Sequence, residues 1–522
     1  MSFLDIFKKY FKKRKIKLTL YYLIGIVSAC LTLISPYIIG NFIDVLVKSK
    51  TMGVINRYAL IFGIVNILNF ILSYLEEKIY LLIQIDSAYE FNVDLLNHYE
   101  RLPLKYSDKY DKSFIVQQFN NDSNELIIFL MDFILSTSIN ILTIVASSIV
   151  LFSLNKSLAI SLYVCGVFYI VFFIIMKRKL YEVNFQMMED QSDFFARSHQ
   201  RINRLKSIKI HSLGKILDKN LDKSFIKLKK SSKRKLDINY IYSALSNLIQ
   251  NLVQVLTFIY GGYLVIKNSM SIGEMTMITA FFSYILSSIN YFFYLGEEIQ
   301  SAKAMRNRIN RILLKKPQTN GNKEISSIDC ISIEGLNFSY GKQKLINDFS
   351  YIFKKGNLYL IKGENGKGKT TLVNLIIGLY IDEYSGKILI NKENIENIDM
   401  ISLRKKLVAY TEQKPFLISE EIEKIINDMN FSDLIEKFNL RNLRDHKIDE
   451  DNLSGGQIQK LSIIHGISKN PDLYIFDEPT SHMDKKSKEF FTKFIIELKK
   501  DKIVIIITHE DIDFYADEII YL

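Results

Sequence analysis

Eight consecutive residues, Gly363 to Thr370, have the types and spacing needed to hold a chain of phosphate groups. They fit the pattern G-x-x-x-x-G-K-[ST]. The three glycines let backbone N–H groups close around phosphate oxygens, and a helix beginning near Lys369 adds the positive end of its dipole. Lys369 can reach the outer phosphates as a point charge, and the Thr370 hydroxyl can hold Mg²⁺. The predicted nucleotide-binding residues are Gly363, Glu364, Asn365, Gly366, Lys367, Gly368, Lys369, Thr370 and Thr371.

Two adjacent carboxylates further along the chain complete a hydrolytic set. Asp477 ends the apolar strand Leu473–Phe476 and is placed to hold Mg²⁺ beside the phosphates. Glu478 follows it and is the predicted general base that polarises the attacking water. The run Leu453–Gln457, Leu-Ser-Gly-Gly-Gln, stands shortly before them. With these partners downstream, a chance glycine-rich turn no longer explains the first motif, and the sequence predicts ATP hydrolysis with ATP and Mg²⁺ as cofactors.

The elements that precede this ATPase read as membrane spans. Apolar residues make up 48% of the chain and concentrate before residue 300. A span needs about 20 mostly apolar residues, and the second candidate is the weakest because Asn66 and Asn69 interrupt it. Buried helices of a large soluble protein are the alternative, but uncharged runs such as Ser157–Met176 favour the membrane. The six predicted spans are residues 18–46, 56–80, 124–153, 157–176, 242–267 and 274–298.

The distribution of basic residues predicts which side of the membrane each loop occupies. Lysines and arginines cluster before the first span, after the fourth and before the fifth, whereas the opposite ends carry few. Basic loops stay in the cytoplasm, so both termini are predicted to be cytoplasmic in a multi-pass protein of the cell membrane. The net charge of +12 fits contact with anionic lipid headgroups. Nucleic-acid binding is the alternative explanation and is not expected, because the charges lie at span boundaries.

Four regions are predicted along the chain: an N-terminal segment, residues 1–17; the transmembrane domain, 18–312; a connecting segment, 313–325; and the ATP-binding domain, 326–522. The first is predicted to be an amphipathic helix lying on the inner leaflet, and the third is a linker containing Pro317 and Gly321. The long polar segments 81–123 and 180–240 are predicted to continue the membrane helices into the cytosol. Their tips, near Ser107–Asn121 and Lys206–Gly214, are expected to dock on the ATPase. The residues expected to face lipid in the first helix are Phe3, Ile6, Phe7, Tyr10 and Phe11.

The whole chain resembles an ATP-binding cassette (ABC) half-transporter of the type I exporter fold, also called type IV. The resemblance is most specific after residue 335, and earlier it depends on Leu102–Tyr106, Gly261–Ile266 and Ser271–Glu274. It implies a membrane α-helical domain of six long transmembrane helices with cytoplasmic extensions. An α/β P-loop ATPase domain with a small helical subdomain follows. That subdomain is short here, since only forty positions separate Gln413 from Leu453.

The same resemblance implies roles for further residues. Tyr340 matches the aromatic residue that stacks on adenine, and Gln413 matches the glutamine that contacts Mg²⁺ or water. Asp484 fits the loop at the dimer contact, and His509 matches the switch histidine after the last catalytic strand. Gln413, His509 and Lys369 thus join Glu478 as predicted catalytic residues, and Thr370, Gln413 and Asp477 form the predicted Mg²⁺ set. The signature residues, which in the family contact ATP bound to the partner subunit, are Ser454, Gly455, Gly456 and Gln457.

Because signature and P-loop of one chain face different ATP molecules in this family, the resemblance implies a dimer. Glu478, Gly455, Gln457 and His509 are all intact, which favours a homodimer, while a heterodimer stays open. The expected function is ATP-driven export of an amphipathic substrate such as a peptide or modified peptide. Export of a lipid or drug, siderophore-type import and a non-transporting membrane ATPase stay open. No leader-peptidase domain is expected before the first span. Candidate cavity residues are Asn140, Asn251, Gln254 and Asn290.

Overall fold

Among the residues that the structure describes, six helices of the computed structural model are long and apolar enough to span a membrane. The structure describes residues 1–49, 52–107, 112–340, 343–381, 383–441, 443, 453–508 and 516–522. Five of the six predicted spans lie inside one of these helices, and the fifth, residues 242–267, begins inside the helix Gly214–Ile266 and ends one residue beyond it, so the prediction of six spans is confirmed. The helices of this part are α1 Phe3–Phe11, α2 Lys15–Ser49, α3 Met52–Glu100, α4 Leu104–Ser107, α5 Lys112–Leu154, α6 Lys156–Asn203, α7 Leu205–Ile210, α8 Gly214–Leu256, α9 Gly262–Ile266 and α10 Ile272–Leu313.

Several of these helices are far longer than a bilayer requires. At 1.5 Å per residue, the 49 residues of α3 extend roughly 74 Å, against a hydrocarbon core of about 30 Å. Helices α3 and α5 cover most of segment 81–123, and α6 and α8 cover most of segment 180–240. The prediction that membrane helices continue into the polar loops is therefore confirmed.

The N-terminal helix packs on protein rather than lying wholly against lipid. Ile6, Tyr10 and Phe11 are each 1% exposed. The ring of Tyr10 stacks on Phe91 of α3 with centroids 4.6 Å apart, and its hydroxyl donates to Asp94 at 3.0 Å. The expectation that all five apolar side chains of this helix face lipid is wrong for these three, which are buried, and for Tyr10 the reason is that α3 offers an aromatic and hydrogen-bonding surface.

The chain divides into two compact units that are not continuous in sequence. One comprises Met1–Leu96 with Val116–Leu314, and the other comprises Asn97–Ile115 with Lys315–Leu522. In the second unit, Lys105 of α4 lies 3.5 Å from Glu383, and the backbone N–H of Gln318 donates to the carbonyl of Arg101 at 2.7 Å. The first loop tip therefore packs with the ATPase, through a helix that begins earlier than the predicted tip at Ser107.

Within its described residues, the ATPase contains two sheets. The antiparallel one has the order β2-β1-β4-β5 and the parallel one β6-β7-β8-β3-β9. Along β3, Leu358 and Leu360 enter one hydrophobic cluster while Tyr359 and Ile361 enter another, so both faces of the parallel sheet are covered. The elements are β1 Cys330–Tyr340, β2 Gln343–Lys354, β3 Leu358–Lys362, α11 Lys369–Ile376, β4 Ser385–Ile390, β5 Glu393–Asn394, α12 Met400–Lys406, β6 Val408–Thr411, α13 Ser419–Asn427, α14 Ser432–Lys437, α15 Gly455–Ser468, β7 Leu473–Asp477, α16 Lys485–Leu498, β8 Ile503–Ile507 and β9 Glu518–Tyr521.

The backbones of α2 and α10 approach each other closely where Gly40 faces Gly273. A β-carbon at position 273 would lie 2.0 Å from the carbonyl oxygen of Gly40. One turn further along α2, the Asp44 carboxylate accepts hydrogen bonds from the Ser271 hydroxyl at 2.6 Å and the Gly273 N–H at 2.8 Å. Asp44 thus satisfies N–H and O–H donors at the start of α10, where a negative charge is favoured.

Gly273→Ala is expected to destabilise the membrane unit, because backbone rather than a flexible side chain opposes the added methyl group. Overpacking of this kind costs typically 1–3 kcal/mol, and we expect a lower midpoint of thermal unfolding in detergent. Gly63→Ala is the matched control, since a β-carbon at that position meets nothing within 4 Å. Equal unfolding midpoints for the two variants would contradict the close approach of α2 and α10.

Candidate nucleotide-binding site

The predicted phosphate-binding loop, residues 363–368, connects β3 to α11. It depends on a residue with left-handed backbone conformation at its end. Gly368 is the residue before the helix and has φ of +97°, a conformation that a side chain would strain. The turn aims the first N–H groups of α11 back over the loop. Lys369 is 8% exposed, and its Nζ donates to the carbonyls of Gly363 at 2.5 Å and Glu364 at 3.2 Å. The loop is thus closed around its own lysine.

Two of the predicted Mg²⁺ ligands meet in the fold. The Thr370 hydroxyl donates to Asp477 Oδ2 at 2.8 Å, because parallel strands β3 and β7 end at the same edge of the sheet. Asp477 is 4% exposed. Burial raises the pKa of its carboxyl above the ordinary value, and the neighbouring Glu478 acts in the same direction, while the Thr370 hydrogen bond opposes both. A hard cation would relieve this burial of charge, so the oxygen pair fits Mg²⁺.

Glu478 occupies a strained backbone position. Its φ is +47°, which costs a non-glycine residue about 1–2 kcal/mol. Its N–H donates to the Ile507 carbonyl at 2.8 Å, while its own carbonyl accepts from the Gln459 amide at 2.8 Å and the Ser481 hydroxyl at 3.1 Å. Strain held in place by three hydrogen bonds is typical of an active-site residue.

The predicted glutamine lies against the predicted base. Gln413 Nε2 donates to Glu478 Oε2 at 2.8 Å, although 65 positions separate the two residues. The bond orients the Glu478 carboxylate and leaves the Gln413 amide oxygen as the atom of that side chain that can contact a cation. The fold therefore brings together Thr370, Asp477, Glu478 and Gln413.

The signature motif begins a helix. Ser454 precedes α15, its Oγ accepts from the Gln457 N–H at 3.3 Å, and Gln457 Oε1 accepts from the Ser454 N–H at 2.8 Å. This reciprocal capping leaves the first N–H groups of the helix, at Gly455 and Gly456, directed outward. Across the residues that the structure describes, no hydrogen bond joins this helix start to the phosphate-binding loop of the same chain.

Asp484 lies between the signature helix and α16. Its carboxylate accepts from Lys460 Nζ at 2.5 Å and from the Ser487 N–H at 3.0 Å. The hydrogen bond from Lys460 is the main reason that the pKa of the Asp484 carboxyl lies below its ordinary value. The residue predicted for the dimer loop thus fixes the position of that loop relative to α15.

Tyr340 ends β1 with its ring packed edge-to-face. It lies nearly perpendicular to Phe338 and Tyr380, with ring centroids 5.0 and 5.9 Å away, and its hydroxyl bonds to that of Tyr380. Tyr340 is still 36% exposed, so part of the ring is accessible to a base. His509 and positions 444–452 lie outside the described residues.

Sequence reasoning missed Gln459 as a positioning residue. Gln459 is 1% exposed and holds the Glu478 carbonyl from the second turn of α15. The available signal was the amide of Gln459 in the second turn of a helix that continues with the apolar residues Leu461, Ile463 and Ile464. Buried amides need partners, so the sequence could have predicted a hydrogen bond from this amide to the backbone at the end of β7.

Comparison with known families decides the assignment. The model described as ABC transporter transmembrane region matches residues 18–289, and the model described as ABC transporter matches residues 346–481. This chain belongs to the ABC transporter family. The ABC transporter therefore carries an ATP-binding domain fused to a multi-pass membrane region, and the predictions of a type IV half-transporter, an ATP-hydrolysing transporter and a cell-membrane protein are confirmed.

Curated relatives and a solved structure extend the comparison. The ABC transporter is 26% identical over 397 residues to the lacticin-481/lactococcin-DR transport/processing ATP-binding protein lcnDR3 of Lactococcus lactis. The matched residues cover 74% of this chain and 57% of lcnDR3. The ABC transporter is 24% identical to the transport/processing ATP-binding protein ComA of Streptococcus pneumoniae, covering 92% of this chain and 69% of ComA. It is 25% identical to the lactococcin-G-processing and transport protein LagD of L. lactis, covering 94% and 72%.

The fold matches that of a bacterial Atm1-family ABC exporter solved with ATP bound. The TM-score is 0.80 at 14% sequence identity, covering 98% of this chain and 93% of the exporter chain. At that identity the likeness concerns the fold, which agrees with the six helices and the two sheets described above.

Proposed function

We propose that this ABC transporter is a homodimeric exporter that uses ATP hydrolysis to move an amphipathic peptide out of the cytoplasm. The observation that carries the ATPase part is the joint placement of Thr370–Asp477 and Gln413–Glu478 at one sheet edge. The names of the relatives, which concern transport of lacticin 481 and lactococcins, support a peptide as substrate.

In the proposed mechanism, Lys369 and the N–H groups of the phosphate-binding loop hold the β- and γ-phosphates. Glu478 Oε2, kept in place by the Gln413 amide, accepts a proton from water as the water oxygen attacks the γ-phosphorus, and the bond to the bridging oxygen of ADP breaks. Thr370, Asp477 and the Gln413 amide oxygen would hold Mg²⁺, which neutralises charge on the phosphates when bound.

The homodimer proposal rests on the signature helix. The outward N–H groups at the start of α15 suit a γ-phosphate, and no described contact gives them one within the chain. A second copy can bring its own phosphate-binding loop to this surface. Two identical composite sites would result, each with Glu478 intact.

Transport in sealed vesicles tests the export proposal. Inside-out proteoliposomes containing the purified chain are expected to accumulate a fluorescent amphipathic peptide when ATP and Mg²⁺ are added outside. Vesicles with the Glu478→Gln chain are the control and should accumulate none. ATP hydrolysis that no peptide stimulates, together with absent uptake, would instead favour a membrane ATPase that transports nothing.

The second loop tip is expected to couple ATP use to transport. In α7, Ile210 is 64% exposed although it is apolar, which predicts that it binds a surface of an ATPase domain in the dimer. Ile210→Asp should lower peptide-stimulated ATPase activity and uptake at least about fivefold and leave ATP affinity within about twofold. Ile226→Asp is the matched control, since Ile226 on α8 is similarly exposed, at 63%.

Measurement of nucleotide affinity separates coupling from binding. A large loss of ATP affinity in Ile210→Asp, with unchanged uptake per ATP hydrolysed, would show that the tip is not a coupling element. An equal loss of uptake in Ile226→Asp would show that any added charge in these extensions disrupts the dimer.

A further inference from the structure

A polar cavity of about 270 Å³ lies within the membrane unit between α2, α5 and α10. Hydroxyl side chains from all three helices line it, together with the amide of Asn140 and the carboxylate of Glu76 from α3. Lysine, arginine and histidine are missing from its lining within the described part of the chain. Whole small-molecule sites occupy roughly 300–1,000 Å³, so this cavity suits one charged side chain or headgroup rather than an entire peptide.

Glu76 extends across the cavity without a cationic partner. Its Oε1 lies 3.2 Å from the place that a β-carbon would occupy at Gly25, so the absent side chain of Gly25 lets the carboxylate reach the surface of α2. Throughout the described ranges, Glu76 forms neither an ion pair nor a hydrogen bond. A carboxylate within a membrane span is costly when unpaired and usually serves a ligand.

The opposite wall offers a second polar group without a partner. Ser288 on α10 is 2% exposed and lines the same cavity, and its hydroxyl has no hydrogen-bond partner among the residues described. Ser28 and Thr32 on α2 differ, because both are bonded to Asn69, at 2.6 and 3.2 Å. Because Ser288 lines the cavity, its hydroxyl can accept a hydrogen bond from a ligand group that enters this space.

The chemistry of the lining selects the class of ligand. An anion would meet the Glu76 charge with no basic group to offset it, and a neutral group would leave the carboxylate unpaired. A metal ion needs several such ligands, and the described residues contain no cluster of three His, Cys, Asp or Glu side chains that could hold one. An ammonium or guanidinium group satisfies both the carboxylate and the hydroxyl acceptors.

We propose that this cavity binds a cationic side chain of the transported peptide, with Glu76 as the residue that selects positive charge and Ser288 as a second acceptor. The inference rests on the proposed export function and specifies its substrate as a cationic amphipathic peptide. The apolar part of the peptide contacts the surrounding helices while one lysine or arginine side chain enters the cavity.

Two synthetic amphipathic peptides test the proposal, one containing lysines and the other containing N-acetyl-lysine at the same positions. Their dissociation constants are measured by calorimetry on the full chain in nanodiscs, and ATP-dependent uptake is measured separately in proteoliposomes. Glu76→Gln is expected to raise the dissociation constant of the lysine peptide about tenfold and to leave that of the acetylated peptide within twofold. Glu77→Gln, which changes a neighbouring exposed carboxylate outside the cavity lining, should alter neither value.

The two readouts keep the site and the export function apart. Charge-selective binding that Glu76→Gln abolishes, without ATP-dependent uptake, supports the site and overturns peptide export. Uptake of both peptides alike, or equal weakening of both by Glu76→Gln, overturns the site. If the Glu76→Gln chain does not fold, Ser288→Ala provides the decision. A loss of affinity of about threefold for the lysine peptide alone supports the site, and an unchanged affinity for that peptide overturns it.

Discussion

Replacing Glu478 by glutamine is expected to lower steady-state ATP hydrolysis by roughly 10²–10⁴-fold, the usual contribution of a general base. The amide keeps the shape of the side chain and its hydrogen-bonding reach toward Gln413, but it cannot take a proton from water. The strained backbone at φ +47° is retained because Gln459, Ser481 and Ile507 hold main-chain atoms. ATP binding should therefore persist while turnover stops.

Glu412→Gln is the control for the general loss of a carboxylate. Glu412 is exposed and near enough to raise the pKa of Asp477 slightly, yet it makes no hydrogen bond to Glu478 in the described structure. We expect its ATPase activity to stay within about twofold of the unmodified chain. Near-normal turnover in Glu478→Gln, measured as phosphate release at saturating ATP, would remove Glu478 from its assigned role.

Lys369→Ala is expected to raise the dissociation constant for ATP about 100-fold or more, since truncating one member of a desolvated charge pair costs 2–5 kcal/mol. The ammonium group lies within the loop that we propose encloses the phosphates, and α11 contains no second lysine that could replace it. Binding of a fluorescent ATP analogue measures the change. Lys406→Ala is the matched control and should leave the dissociation constant within about twofold, because Lys406 lies on α12, outside the predicted nucleotide-binding residues, with its side chain 60% exposed.

Mixing subunits extends this prediction to the composite sites. A dimer of one unmodified and one Lys369→Ala subunit should retain at most one intact site. In the Glu478→Gln background with ATP bound, cysteines placed at 454 and 364 should form a disulfide between subunits once the three native cysteines are replaced. Disulfides within one chain only, or only with a different protein present, would defeat the homodimer.

The motifs assigned to ATP hydrolysis could be found in the sequence because each is contiguous. Residues 363–371 form one turn and the start of one helix, so their chemistry follows from their order. Asp477 and Glu478 adjoin at a strand end for the same reason. The six spans were equally accessible, since twenty apolar residues in succession have few alternatives to crossing a bilayer. Only the lengths of the helices differed from the predicted spans, because a helix that continues from a span as a polar segment carries no hydropathy signal.

The burial of individual side chains could not be predicted from the sequence. Phe3 to Phe11 has an amphipathic pattern that suits lipid or protein equally, and α3 decided the matter by offering Phe91 and Asp94 to Tyr10. Likewise Asn69 looked like a defect in the second span. It is the residue that bonds the hydroxyls of Ser28 and Thr32, which removes the cost of a polar group in lipid.

The sequence by itself determined the family, the six spans and the local chemistry of each ATPase motif. Tertiary structure alone decided that Gln413 meets Glu478, that Gln459 supports it, and that Glu76 shares a cavity with Ser288. The reason is physical. Contacts within a turn follow from bond geometry, whereas contacts between segments tens to hundreds of positions apart depend on strand register and helix rotation, which the packing of the whole core sets.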